Sequence, residues 1–67
     1  MINKKLKTAM FEQECTHKMA AEILEINTRV FTNKLNKRTV NGYAARFTAS
    51  EKTMLALKFG INANEIE

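Results

Sequence analysis

Helix-capping signals recur along the whole chain and constrain its fold more than any other feature. A cap is a Ser, Thr, Asn or Asp side chain that accepts a hydrogen bond from the first turn of a helix. The qualifying residues are Asn3, Thr16, Asn27, Thr48 and Asn62. Only two glycines and no proline are present to interrupt helical structure. The sequence therefore predicts an all-α fold, a compact bundle of about five short helices.

The first two predicted helices are short and amphipathic. The first runs from Asn3 to about Glu14, with Leu6 and Met10 four residues apart on its inner face. The second opens at Thr16. Cys15, just before this helix, would pack on Ala20 as a hydrophobic staple, and the inner face continues through Ala21 and Leu24. Each helix can therefore bury one face and leave the other in water.

The last two predicted helices carry paired signals at their starts. Thr48 and Glu51 form a capping box for a helix that reaches Phe59 and ends at Gly60. A final short helix has two start signals. Asn62 with Glu65 forms a capping pair, and Ile61 with Ile66 forms a hydrophobic staple. The sequence thus fixes where both helices begin.

The connection between the second and third helices is very short. Leu24 and Asn27 bracket only Glu25 and Ile26, which predicts two helices meeting through a tight turn, as in a helix-turn-helix. Phe31, stapled by Ile26, and Leu35 one turn further would hold the third helix to the core. Its outward residues are then Thr28, Arg29, Thr32, Asn33 and Asn36. Arg and Asn side chains can make bidentate hydrogen bonds to base edges, and Thr offers a hydroxyl or a methyl group.

Charge is distributed unevenly along the chain. The net charge is +4 and the isoelectric point about 9.5, but no acidic residue lies between Glu25 and Glu51. The basic residues of that block are Arg29, Lys34, Lys37, Arg38 and Arg46. Such a block suits a polyanion, with nucleic acid first and an anionic membrane surface second, although a merely solvated basic face is also consistent with it.

The segment THKMAAEILEINTRVFTNKLNK, residues 16 to 37, resembles the helix-turn-helix of Cro and phage repressors, also called the XRE family. That family reads roughly Thr-Gln-x-x-x-Ala-x-x-x-Gly-apolar-Ser, then a recognition helix ending in Asn-Gly. The matching residues are Thr16, Ala21, Leu24, Ile26, Phe31, Leu35 and Asn36. The ending FTNKLNKR is similar to small prophage-encoded members. The resemblance covers about residues 3 to 67 and implies that residues 1–67 form a single lambda-repressor-like DNA-binding domain.

Three residues depart from the family pattern. His17 stands at the usual Gln, Glu25 at the turn glycine, and Lys37 at the glycine after Asn36. A positive φ at Glu25 would cost roughly 1 kcal/mol relative to glycine. A protonated His17 can donate to a phosphate, so DNA binding is expected to strengthen below neutral pH.

The resemblance implies a Cro-like repressor that reads double-stranded operator DNA with the helix from Asn27 to Asn36. The expected base contacts are Thr28, Arg29, Thr32 and Asn33. The expected phosphate contacts are His17, Lys18, Asn27, Lys34, Asn36, Lys37 and Arg38. A second hypothesis is a phage anti-repressor or modulator that binds a partner repressor protein instead of DNA, or together with it.

The helix from Thr48 to Phe59 carries more apolar side chains than one inward stripe requires. This surplus indicates either a homodimer face, with two recognition helices one DNA turn apart, or a helix that the bundle buries on most sides. Between the third and fourth helices, Asn41-Gly42 predicts a turn within a loop or short extended piece. Tyr43, with Arg46, could touch phosphate there, or it could cap the core.

Several function classes are not indicated. Cys15 is the single cysteine, so no intramolecular disulfide or paired metal-ligand motif is possible, and no catalytic partner is evident for it or for His17. We expect no enzyme activity, cofactor or metal, and a cytoplasmic protein of a bacterial host without a signal or membrane segment. The glutamates expected to face solvent are Glu12, Glu14, Glu22 and Glu25, and the four methionines are expected to be mostly core filler.

Overall fold

A computed structural model describes residues 2–67, except for the side chain of Val40. Four α-helices follow in order, namely α1 (Lys4–Glu12), α2 (His17–Ile23), α3 (Thr28–Leu35) and α4 (Ala49–Phe59). A hairpin of β1 (Thr39–Val40) and β2 (Tyr43–Ala44) separates α3 from α4, and a 3-10 helix (Ala63–Glu65) follows α4. The protein is therefore mostly helical, as predicted, although the predicted fifth helix is one turn of 3-10 helix.

Side-chain caps start three of the four α-helices, as the sequence predicts. Thr16 accepts from the backbone N–H of Met19 at 3.2 Å, and Asn27 accepts from that of Arg29 at 2.7 Å. At α4 the Thr48 hydroxyl accepts from the Glu51 N–H, and the Glu51 carboxylate accepts from the Thr48 N–H, which is a complete capping box. These bonds satisfy N–H groups that have no partner inside the helix.

Asn3 immediately precedes α1 as predicted, but the predicted side-chain cap is wrong. Its backbone lies in the left-handed region at φ 55°, and its side chain is only 2% exposed. The amide Nδ2 donates to the carbonyl of Leu35 at 2.8 Å, and Oδ1 accepts from the N–H of Glu67 at 2.7 Å. The side chain that would have capped a helix instead joins the N-terminal segment, the end of α3 and the C-terminal segment.

The final capping prediction is half correct. Asn62 accepts from the N–H of Asn64 at 2.9 Å and opens the 3-10 helix. Glu65 does not return to the cap, because its carboxylate binds the ammonium of Lys5 at 2.8 Å. A long-range ion pair on the surface has replaced the local bond.

One hydrophobic core contains every predicted inner-face residue of α1, α2 and α3, while the two staple residues, Cys15 and Ile26, are half-buried at its edge. Residues from the rest of the chain complete the core: Phe47, Leu55, Phe59 and Ile66. The rings of Phe31 and Phe47 pack at 5.6 Å between centroids, which ties α3 to the segment before α4. Met10 is buried as core filler, but Met19 and Met54 are exposed, and Met1 lies outside the described residues.

The apolar surplus of α4 faces outward in part. Leu55 and Phe59 are buried, whereas Leu57 is 81% exposed and Met54 is exposed as well. The helix is therefore not buried on most sides within residues 2–67. None of the helices in that range is both long and apolar enough to cross a membrane.

Schellman motifs end α1, α2 and α3, each with a non-glycine residue in the left-handed region. At the end of α2, the Ile26 N–H donates to the Ala21 carbonyl and the Glu25 N–H to the Glu22 carbonyl, with Glu25 at φ 57°. Equivalent bonds place Glu14 at φ 53° and Lys37 at φ 50°. Glycine is the usual residue at this position because it has no Cβ. Glu25 thus adopts the positive φ whose cost was considered above, and α1 ends two residues earlier than predicted.

Glu25→Gly is expected to raise the free energy of unfolding by about 1 kcal/mol, because glycine adopts a positive φ without the Cβ clash. Urea unfolding followed by circular dichroism measures the change. The matched control is Glu22→Gly, at an exposed position of α2, which is expected to lower the free energy of unfolding by about 0.5–1 kcal/mol. A destabilised Glu25→Gly variant would show that Glu25 makes a favourable interaction that outweighs its backbone strain.

The connection from α3 to α4 contains a tight hairpin. Thr39 pairs with Ala44 and Val40 with Tyr43, and the two turn residues both have positive φ, at 52° for Asn41 and 82° for Gly42. Two successive positive φ values are the mark of a type I′ turn. Tyr43 is 79% exposed, so it does not cap the core.

Candidate nucleic-acid interface

The turn between α2 and α3 fixes how these two helices pack. Leu24 is buried, Ile26 packs at the edge of the core, and Glu25 reverses the chain direction between them. Asn27 then caps α3, so only two residues separate the C-cap of α2, Leu24, from the N-cap of α3. The Phe31 and Leu35 side chains, both fully buried, determine which face of α3 points outward.

His17 supports α3 from the first turn of α2. Its Nδ1 lies 3.0 Å from the Thr32 hydroxyl, and its ring packs edge-on against Phe31 at 5.7 Å between centroids. Within the described chain, none of the hydrogen bonds uses its Nε2. The imidazole therefore orients α3 through one nitrogen and leaves the other exposed to solvent. This bond orients the hydroxyl of Thr32, which can still form a further hydrogen bond because a hydroxyl has one donor and two acceptor sites.

The predicted base-contact residues share one side of α3. Thr28 and Arg29 are exposed at the start of the helix, while Thr32 and Asn33 are half-buried one turn later. No carboxylate lies within ion-pair distance of Arg29 among residues 2–67. The guanidinium is thus free of internal charge pairing, as a side chain that reads an external partner must be.

Lys34 is not available as a phosphate contact, so that prediction is corrected. Its ammonium lies 2.8 Å and 2.9 Å from the two carboxylate oxygens of Glu51, and the two side chains are only 19% and 12% exposed. Glu51 follows the acid-free block in sequence, yet the fold returns it to α3. The pair joins α3 to the capping box of α4.

The pKa of Glu51 reflects this position. Burial by itself raises the pKa of the carboxyl group, but hydrogen bonds from Lys34 and from the Thr48 backbone outweigh it. Together with the Lys34 charge, they hold the pKa of Glu51 below its ordinary value of 4.5. The carboxylate is therefore ionised across the neutral range.

Asn36 is also used inside the protein, contrary to its predicted phosphate contact. Its Oδ1 accepts from the Lys7 ammonium at 2.8 Å, and its Nδ2 donates to the Thr32 carbonyl at 3.1 Å. The side chain is half-buried and closes the last turn of α3 against α1. It stabilises α3 and does not reach outward.

The remaining predicted phosphate contacts are more accessible. Lys18 on α2 and Arg38 after α3 are exposed, and neither has an ion pair among the described residues. Lys37 lies 3.6 Å from the carboxylate of Glu67, a longer pair on a half-exposed side chain that an external anion could displace. Asn27 uses Oδ1 for its cap and keeps its amide nitrogen exposed.

An open groove of about 730 Å³ separates α3 from the hairpin. Its lining residues are Asn27, Arg29, Val30, Asn33, Arg38, Thr39 and Asn41. Sequence reasoning found the helix side of this groove but missed Thr39 and Asn41 on the hairpin side. The Asn41-Gly42 pair signalled a turn, but nothing local showed that the turn would stand beside α3.

The described residues offer no comparable arrangement for metal binding. No group of three His, Cys, Asp or Glu side chains within residues 2–67 is placed to hold a metal ion. Glu12, Glu14, Glu22 and Glu25 are exposed, as predicted. The basic face of α3 is therefore the candidate site.

No protein-family model matches the chain, and comparisons with curated proteins and with solved structures gave no significant match. The functional argument accordingly rests on the residues and geometry of this face.

Proposed function

We propose that this protein is a sequence-specific DNA-binding transcriptional regulator, a Cro-like repressor of phage or prophage type whose α2 and α3 form a helix-turn-helix. The observation that carries the proposal is the outward face of α3, which presents Thr28 and unpaired Arg29 beside Asn33 immediately after a tight turn. In such a motif the start of the second helix enters the major groove of double-stranded operator DNA.

The roles of the individual side chains follow from their contacts. Arg29 and Asn33 are the groups able to form bidentate hydrogen bonds to guanine and adenine, and Thr28 adds a hydroxyl. Thr32 offers a methyl group and the remaining hydrogen-bonding capacity of its hydroxyl, which His17 orients. The phosphate contacts are the exposed groups around α3, namely His17, Lys18, Asn27, Lys37 and Arg38. Lys34 and Asn36 have structural roles instead.

Dimerisation through α4 would complete the regulator. The exposed Met54 and Leu57 give this helix an apolar face outside the core. In a twofold-symmetric homodimer, two α3 helices would lie about 34 Å apart and read a palindromic operator. Occupancy of a promoter by such a dimer would itself exclude polymerase, with protein concentration and dimerisation as the switch. This mechanism places the protein in the bacterial cytoplasm and requires no cofactor.

Fluorescence anisotropy tests the proposal. The purified protein is titrated against random duplex DNA and against the DNA upstream of its own gene, at two salt concentrations. Tighter and salt-dependent binding to the upstream DNA supports the operator-binding regulator. Weak binding that is indifferent to sequence contradicts it.

Arg29→Ala is expected to weaken binding to the preferred duplex by about 1–3 kcal/mol and to leave binding to random DNA nearly unchanged, because the lost contact is to a base. Lys37→Ala is the matched comparison. It is expected to weaken binding to both duplexes alike and to flatten the salt dependence, because a phosphate contact carries no sequence information. An equal loss on both duplexes for Arg29→Ala would exclude its base-contact role.

A modulator or anti-repressor that binds a partner repressor is the second candidate. The largely exposed Phe11 favours it, because this apolar side chain on α1 belongs neither to the proposed DNA-binding face nor to the α4 homodimer face. In that case the face of α4 would be a heterodimer face. Sequence-indifferent DNA binding by a protein that sediments as a monomer would favour this function.

A further inference from the structure

The hairpin forms the second wall of a cleft whose first wall is α3. Thr39 and Asn41 line it from the hairpin, Arg29 and Asn33 from α3, and Arg38 at the junction of the two. The hairpin is held in place at its base, where the Ala45 N–H donates to the Arg38 carbonyl at 2.8 Å. The cleft therefore has two defined walls and a basic residue where they meet.

The lining groups select for a polyanionic strand. They comprise two guanidinium groups, three side-chain amides, a hydroxyl and one apolar side chain, and no carboxylate among the described residues lines the cleft. Guanidinium and amide groups are hydrogen-bond donors that suit phosphate oxygens, and the guanidinium binds them bidentately. The cleft is open along its length, so it accommodates a continuing chain and does not enclose a small molecule.

We infer that this cleft holds one sugar-phosphate strand of duplex DNA, so that α3 lies in the major groove on one side and the hairpin reaches over the strand toward the adjacent minor groove. Arg38 is the main phosphate contact at the base of the cleft. The inference rests on the proposed function, because it takes α3 as the recognition helix. It adds a second DNA-contacting element that the helix-turn-helix alone does not provide.

Two variants test the inference, and a third variant serves as the control. In the first variant, Gly-Gly replaces the residues from 39 to 44. The existing bond from the Ala45 N–H to the Arg38 carbonyl would then close an ordinary four-residue turn without strain. The second variant is Arg38→Ala, which leaves the hairpin intact. Lys58→Ala is the charge-matched control, since Lys58 lies in a different groove, between α4 and α2. Thermal unfolding confirms that each variant is folded.

The measurements are hydroxyl-radical footprinting and salt-dependent anisotropy on the duplex that the unaltered protein selects from a random pool. The shortened variant is expected to keep the protection centred on α3 and to lose protection of the sugars on the minor-groove side. Arg38→Ala is expected to lower the slope of log K against log salt by about 1 and to weaken binding about 5- to 10-fold. Lys58→Ala is expected to leave the slope and the footprint unchanged.

The possible failures are distinguishable. An unchanged footprint and salt slope in both hairpin variants, with binding by the unaltered protein intact, would overturn the inference and leave the DNA-binding function standing. If the shortened variant does not fold, an unchanged salt slope for Arg38→Ala is sufficient to overturn the inference. Selection of no duplex by the unaltered protein would overturn both the inference and the proposed function.

Discussion

Asn3→Ala is expected to lower the free energy of unfolding by about 2–4 kcal/mol. The substitution leaves the buried Leu35 carbonyl without its partner, which costs about 1–3 kcal/mol, and it removes the part-buried bond to the Glu67 N–H, which water can replace only in part. Alanine also tolerates φ 55° less well than asparagine, whose side chain is suited to the left-handed region. A domain of this size has a total stability of only about 3–10 kcal/mol, so the loss is a large part of it.

Urea unfolding followed by circular dichroism measures this loss. Asn64→Ala is the matched control, because its side chain is exposed on the 3-10 helix, and a change within about 0.5 kcal/mol is expected. Asn3→Asp separates the two bonds, since a carboxylate can accept from the Glu67 N–H but cannot donate to the Leu35 carbonyl. A loss below about 1 kcal/mol for Asn3→Ala would mean that water replaces the amide and that the buried bridge is not structural.

Glu51→Ala is expected to lower the free energy of unfolding by about 2–4 kcal/mol at neutral pH. It removes half of the α4 capping box, a loss of about 1 kcal/mol, and it leaves the largely buried Lys34 ammonium without its partner. Glu51→Gln should cost about half as much, because the amide can still accept from the Thr48 N–H. Glu12→Ala, at an exposed glutamate outside the ion pairs described here, should have little effect.

The same residue makes stability depend on pH in a definite direction. The pKa of Glu51 lies below 4.5 in the folded protein, so the unfolded chain takes up the proton first as the pH falls. The stability that this carboxylate contributes is complete above its ordinary pKa of 4.5 and is lost as the pH falls through the lower folded-state value. Urea unfolding between pH 7 and pH 2 should therefore show a shallower acid loss for Glu51→Gln than for the unaltered protein. Equal acid losses would place the acid sensitivity elsewhere.

Helix starts could be predicted from the sequence because a cap is a bond between close neighbours. Thr16, Asn27 and Thr48 each accept from an N–H two or three residues ahead, so a window of a few residues contains the whole interaction. Helix ends were harder to predict from the sequence. Glu14 and Lys37 adopt positive φ values at positions where glycine is the usual signal, so no local residue type announced these helix ends.

The parts of the candidate site whose positions are set by the periodicity of one helix were predicted. The parts that require contacts between distant elements were missed. The 3.6-residue period places Arg29 and Asn33 opposite Phe31 and Leu35 without further information. The pairing of Lys34 with Glu51 spans 17 residues and requires knowledge of how α3 meets α4. The cleft beside the hairpin likewise depends on the direction in which a turn leaves α3, and no local pattern encodes that direction.

The bridge made by Asn3 also bears on the kinetics of folding. It joins Leu35 and Glu67, which lie 32 and 64 residues away along the chain, whereas most helix contacts are local. Closing such long loops is entropically costly, so we expect these bonds to form late in folding. Changes at late-forming bonds act mainly on the unfolding rate. Substitutions at the junction of the N-terminal and C-terminal segments are therefore expected to shorten the lifetime of the folded protein and to leave its folding rate almost untouched.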